Sequence, residues 1–199
     1  MSEAQQTTRK KILETALHLF SEKGYLGATT KDIAAETGIA EVTLFRHFAT
    51  KENLLEELLL KHTFLPTLKD IMPAIKKLPY EQALIEIARS QLASLSLRTD
   101  FIKIMHSEIH TYPEKIKKLY HSFIDEMFKT LAAYFDEMQA EGKLRKFDSF
   151  LAARAFFGMF FSYFTSANIF MFKKYGPDET EFLIREYVGF FVNGTIKKG

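Results

Sequence analysis

The chain has 199 residues, 47% of them hydrophobic, and a formal net charge of +2. That length supports one or two domains with real cores, and the apolar fraction excludes wholesale disorder. There is no Cys, which excludes a disulfide framework and every thiolate metal or iron–sulfur site, whereas Phe occurs twenty times, well above ordinary usage.

The opening residues, Met1-Ser2-Glu3-Ala4-Gln5-Gln6, are polar and lack the apolar run of a signal peptide. With the absence of Cys this predicts a cytoplasmic chain. In the first helical segment Ile12, Leu13, Ala16, Leu17 and Phe20 recur at helix spacing; Thr7 or Thr8 can cap it and Gly24 can end it. Thr30 opens a short helix over 31–36 that buries Ile33 and Ala34, and Gly38 closes it. Only Ile39 and Ala40 separate it from the next helix, over 41–48. Thr50 caps a fourth, with Leu54, Leu55, Leu58 and Leu59 on its apolar side. Beyond it, Pro66 and Pro73 are expected to kink or break the chain.

Farther along, helices are predicted over 80–97 and, more briefly, 100–110. Pro113 suits the first turn of a long helix that runs to about residue 141 and ends at Gly142. Asp148 can cap a helix to about residue 172, Gly176-Pro177 marks a turn, and a last helix covers about 179–197. No strand, repeat or low-complexity tract is visible. The fold class is therefore all-α: an N-terminal three-helix unit, residues 1–50, followed by a larger helical domain, residues 51–199.

The tight turn at Gly38 makes the second and third helices a helix-turn-helix candidate. Small Ala34 allows the two to cross closely, and Gly38 allows the chain to turn. On the third helix Leu44 and Phe48 face inward, which leaves Glu41, Thr43, Arg46 and His47 facing out. Such a helix can enter the major groove, where Arg46 can donate twice to a guanine and Glu41 can accept from cytosine N4. Lys51, at the start of the fourth helix, can meet a phosphate.

The run from Ala28-Thr29-Thr30-Lys31-Asp32-Ile33-Ala34 through Gly38-Ile39-Ala40-Glu41-Val42-Thr43-Leu44-Phe45-Arg46-His47-Phe48 to Thr50-Lys51-Glu52-Asn53-Leu54 resembles the DNA-binding domain of the TetR (tetracycline-repressor-like) transcriptional regulators. The resemblance covers roughly residues 8–55. It implies a homodimer on a palindromic double-stranded DNA operator, and a C-terminal domain that dimerises through its last two helices and binds a small effector. It carries the DNA-binding role onto Thr30, Lys31, Glu41, Thr43, Phe45, Arg46, His47 and Lys51. Two positions depart from the pattern. The family often has Tyr where this chain has Phe45 and His47; Phe45 lacks the hydroxyl that reaches phosphate, a role His47 can take. Glu41 stands where the family is often basic or small, so it either reads a cytosine or faces away. Residues 1–55 carry seven Lys or Arg and seven Asp or Glu, so the case for DNA rests on charge distribution, with Arg9-Lys10-Lys11 clustered at one end.

Nine of the twenty Phe lie within 147–172 and only three within 1–63. Residues 155–172 are eighteen in a row without a charge, at the threshold for a membrane span, but Ser162, Thr165, Ser166 and Asn168 interrupt the run. A buried helix explains it better, and no membrane association is expected. Phe156, Phe160 and Phe164 form one row and Phe157 and Phe161 a second, about 100° away. Phe157, Phe161 and Phe164, with Phe182, Tyr187 and Phe190 of the last helix, are assigned to a dimer interface; for any single ring plain core packing is the alternative. A hydrophobic effector pocket is assigned to Met105, His106, Ile109, Phe123, Met127, Phe156, Phe160 and Tyr163, with His110 and Asn168 as further candidates.

His106 and His110 share a helix face, but without a third ligand or a HExxH pattern no metal site is read. No catalytic constellation, phosphate loop or cofactor motif is present, so the expectation is a regulator rather than an enzyme. It is most simply a repressor that a small hydrophobic effector releases from DNA; an activator, or a regulator without small-molecule control, is the alternative.

Overall fold

The structure is a computed structural model, which describes residues 3–99, 101–102, 110, 112–171 and 176–197. Its elements are α1 (Glu3–Gly27), α2 (Thr30–Thr37), α3 (Glu41–His47), α4 (Lys51–His62), α5 (Leu65–Ile75), α6 (Tyr80–Leu97), α7 (Glu114–Ala140), α8 (Ser149–Thr165) and α9 (Pro177–Thr195); one π-helical turn, Ser166–Phe170, extends α8. Among the described residues there is no strand, only one antiparallel bridge between Leu144 and Ile196.

Helix boundaries follow local chemistry. Gly24 interrupts α1 with φ +74°, the left-handed conformation that glycine adopts without steric cost. The cap of α2 is Thr29, one residue earlier than expected. Its hydroxyl accepts from Asp32 N–H, while the Asp32 carboxylate accepts from Thr29 N–H, a reciprocal capping box. Gly38, at φ +78°, ends α2 with its own N–H on the Ala35 carbonyl and the Ile39 N–H on that of Ala34. Thr50 and Asp148 cap α4 and α8 as expected, accepting from Asn53 and Leu151 N–H. The two prolines, expected to kink or break the chain, both lie within α5: Pro66 in its first turn, where a missing N–H costs nothing, and Pro73 two residues before its end at Ile75. Most of the helix expected over 100–110 lies outside the described residues.

The chain divides into two units: residues 1–63 with 98–122, and residues 64–97 with 123–199. This grouping differs from the expected division at residue 50. The whole of α4 belongs to the first unit, because Leu54, Leu55, Leu58 and Leu59 are buried and Glu57 is bonded to α1. The core of that unit is built on Ile12, Leu13, Ala16, Phe20, Ile33, Ala34, Leu44 and Phe48, all at most 3% exposed. Tyr25 joins it, edge-on to Phe20 at 5.4 Å and to Tyr112 at 5.3 Å.

The second unit is packed largely through rings. Phe156 lies 5.2 Å from both Phe160 and Phe191, and Phe191 stacks on Phe135 at 5.6 Å. At one end of the unit, Arg145 N–H donates to the Thr195 carbonyl at 3.0 Å, and the hydroxyls of Tyr80 and Thr195 meet at 2.9 Å. No helix among the described residues is long and apolar enough to cross a membrane.

Candidate nucleic-acid interface

Helix α3 spans seven residues, too few to be stable alone, so its position is held by its neighbours. Leu44 is fully buried and Phe48, its C-cap, is 2% exposed; together they anchor its inner side. The opposite side is open: Val42 is 60% and Phe45 43% exposed, Arg46 is exposed, and Thr43 is half-buried. Lys31 on α2 is also exposed. This face thus offers one guanidinium, one hydroxyl and two apolar side chains. Val42 was not among the expected site residues, and its value lies in apolar contact with a thymine methyl, as does that of Phe45.

Four other expected DNA contacts are engaged inside the protein: Thr30, Glu41 and Lys51 through their side chains and His47 through its backbone. Glu41 accepts a 2.7 Å hydrogen bond from the Thr30 hydroxyl, a staple between α2 and α3 that holds both side chains half-buried. Of the two alternatives for Glu41, the bond favours the inward one. Lys51 does not extend from the start of α4. Its ammonium donates to the Tyr25 carbonyl and lies 4.3 Å from the Tyr25 ring centroid, a cation–π arrangement. Burial, with Glu52 adding a smaller contribution, pushes the Tyr25 phenol up to about 12. The half-buried His47 offers its backbone carbonyl to Arg9, whose Nη1 donates at 2.7 Å.

The basic cluster at residues 9–11 is also not the free patch that its spacing suggests. The Arg9 guanidinium forks onto the Glu57 carboxylate, with Nε to Oε1 at 3.2 Å and Nη2 to Oε2, and lies 4.2 Å from the Phe48 ring centroid. Lys11 donates to the Thr37 carbonyl at 2.8 Å, placing a cation at the C-terminal end of α2. Lys10 is exposed beside Glu14, and Lys11 remains largely exposed despite its bond. Sequence reasoning missed these roles because the acceptors are backbone carbonyls at helix ends and a carboxylate 48 positions away.

The ligand and dimer assignments meet a crowded interior. Met105, His106 and Ile109 lie outside the described residues. Phe156 and Phe160 are 0% exposed and pack against Phe157, Phe191 and Tyr187. Met127 is 8% exposed, while Phe123, Tyr163 and Asn168 are half-buried; His110 is exposed. A described surface cleft of about 430 Å³ involves none of them. It is lined by Leu78, Gln82, Ile85, Glu86, Arg89 and Arg185, where Arg89 forks onto Glu181 and also pairs with Glu86.

Of the interface set, Phe157 and Phe164 are 1% and 2% exposed within this chain. The four-residue row of Phe156, Phe160 and Phe164 faces the chain's own core, and Phe157 does so as well. Phe182 and Phe190 stand 68% exposed, and Phe161 and Tyr187 are half-buried.

The family profile of bacterial regulatory proteins of the tetR family matches residues 12–58, and that of the AefR-like transcriptional repressor C-terminal domain matches residues 82–193. The chain belongs to the TetR family. Its members are transcriptional regulators and not enzymes. The TetR relative YvkB of Bacillus subtilis, a helix-turn-helix regulator, is 31% identical over 157 residues, 79% of this chain and 81% of its own. Among solved structures, a TetR-family regulator from Mesorhizobium loti superposes with a TM-score of 0.78 at 21% identity, over 99% of this chain and 100% of that one. FadR of Bacillus subtilis, solved with stearoyl-CoA, gives 0.76 at 18% identity, over 93% and 98%. These structures share the fold.

Proposed function

We propose that this TetR-family regulator is a repressor that binds a palindromic operator as a homodimer and is released by a small hydrophobic effector. The observation that carries the DNA half is the outward face of α3, with Leu44 and Phe48 anchored inside and Val42, Thr43, Phe45 and Arg46 outside. In the major groove Arg46 donates to guanine O6 and N7, while Val42 and Phe45 pack on thymine methyls. Lys31 supplies a phosphate contact that positions without reading sequence.

The dimer reading is supported by Phe182 and Phe190, which are two turns apart on α9, about 12 Å along its axis, and exposed. A second copy would remove both from water. Two subunits would present their α3 helices to successive major grooves, about 34–36 Å apart.

The effector reading is supported by the match to an AefR-like repressor C-terminal domain and by the stearoyl-CoA of the similarly folded FadR. Gln91, 3% exposed, also donates to the Phe157 carbonyl at 3.0 Å but leaves its side-chain oxygen without a partner among the described residues. A bound N–H or O–H would satisfy that oxygen. An effector acts by binding the conformer that fits DNA poorly more tightly than the one that fits, and it can lower operator affinity only by that ratio.

The test is a gel shift on a duplex selected by the protein from random sequence, repeated with stearoyl-CoA, palmitate and hydrophilic metabolites. Retarded DNA released by an apolar compound is expected. Release by hydrophilic metabolites alone would overturn the effector class, and binding that no compound affects would favour a regulator without small-molecule control.

A further inference from the structure

Arg9 lies before the matched helix-turn-helix segment, which begins at residue 12, yet it touches three residues of the reading unit. Its Nη1 donates to the carbonyl of His47, the last residue of α3; its Nε and Nη2 grip Glu57 on α4; and its plane covers Phe48, the residue that caps α3. Arg9 is 29% and Glu57 19% exposed, so the pair is only partly screened by water. Lys61, at 3.3 Å from the same carboxylate, completes a small network on α4.

We infer that Arg9 is a positioning residue that sets the recognition helix against α1 and α4, and that it makes no phosphate contact. This rests on the reading that α3 enters the groove. Helix α3 has seven residues and no side-chain cap at its start, so its orientation depends on contacts with neighbouring elements. The forked guanidinium uses a rigid planar geometry, which a lysine cannot reproduce, to fix a backbone carbonyl and a carboxylate at once. A shift of α4 therefore moves Glu57, and with it the end of α3. The same three contacts account for a cation that the sequence places in a basic cluster but that the fold withdraws from the surface.

The experiment compares Arg9→Gln, Arg9→Lys, Glu57→Gln and Arg46→Ala with the unchanged chain. Affinity for a duplex selected by the unchanged chain is measured by fluorescence anisotropy across a salt series, with thermal melting to confirm folding. A phosphate contact and a positioning contact differ in two readouts. Loss of a phosphate contact flattens the slope of log K against log salt by about 0.9, whereas loss of a positioning contact lowers affinity at an unchanged slope. Neutralising Glu57 removes a negative charge, which by electrostatics alone strengthens DNA binding; if Glu57 positions α3, it weakens it.

We expect Arg9→Gln, Arg9→Lys and Glu57→Gln each to weaken selected binding by about tenfold or more at unchanged slope, with affinity for unrelated DNA little altered. A flattened slope in Arg9→Gln, or affinity retained or raised in Glu57→Gln, overturns the inference. Should Arg9→Gln fail to fold, Glu57→Gln and Arg9→Lys carry the same decision. If the unchanged chain selects no sequence, or Arg46→Ala binds as it does, the groove reading itself fails; intact selection that is lost in Arg46→Ala but kept in Glu57→Gln defeats the clamp alone.

Discussion

In the N-terminal unit, long cations reach backbone carbonyls on other helices: Arg9 at His47, Lys11 at Thr37, and Lys51 at Tyr25, just past the Gly24 break. In the unit of residues 64–97 and 123–199 the corresponding joints are between rings, as in Phe156 with Phe160 and Phe191, and Phe160 with Tyr187. Directional bonds specify how one helix is oriented on another, and a helix that must meet base edges needs that. Ring packing removes much apolar area per residue without fixing a particular backbone group, which suits a stable scaffold. Arg9, Lys11 and Lys51 thus serve the fold, while Arg46 and Lys31 remain exposed.

Four changes test the contrast. The largest expected effect is Phe156→Ala, which empties a fully buried ring site and should cost about 3–5 kcal/mol of stability in urea unfolding. A loss below about 1 kcal/mol would mean that the ring core repacks freely. Arg46→Ala should weaken selected DNA binding by about 1–3 kcal/mol while leaving the melting temperature in place, because the side chain is exposed. Thr50→Ala removes the cap on Asn53 N–H and should lower stability by about 1 kcal/mol, measured by thermal unfolding.

The smallest effect concerns His62, stacked on Phe101 at 5.4 Å. Burial, then the charges of Arg98 and Lys61, hold its pKa below the ordinary 6.5. The unfolded chain then binds the proton more readily than the folded one, so the neutral ring's contribution is intact above about pH 6.5 and is lost as pH falls below it. Melting curves from pH 7.5 to 5 should fall less steeply in His62→Gln than in the unchanged chain; identical pH dependence would remove His62 from the balance.

Much of this fold is legible in local chemistry. The span of α6 matches expectation at both ends, Gly142 ends the long helix with φ +73°, and the caps at Thr50 and Asp148 stand where hydroxyl and carboxylate precede apolar periodicity. The candidate site is legible only in part. The inward pair Leu44 and Phe48 and the outward Arg46 follow from helical spacing, but Glu41 and Lys51 do not, because their partners Thr30 and Tyr25 come from other elements. The rows of Phe on α8 are real, yet spacing alone does not say whether a row faces core or partner.

What the sequence determined by itself is the set of short-range decisions: helix ends, the turn at Gly38, the family motif and the apolar periodicity, all written within a few residues of one another. What only the tertiary structure decided is which charges and rings remain available. Arg9 is engaged by a carboxylate 48 positions away and by a carbonyl 38 away, and Phe157 and Phe164 are buried within the chain itself. Availability depends on who the neighbours are in space, and a side chain's long-range partners leave no periodic trace in its own stretch of chain.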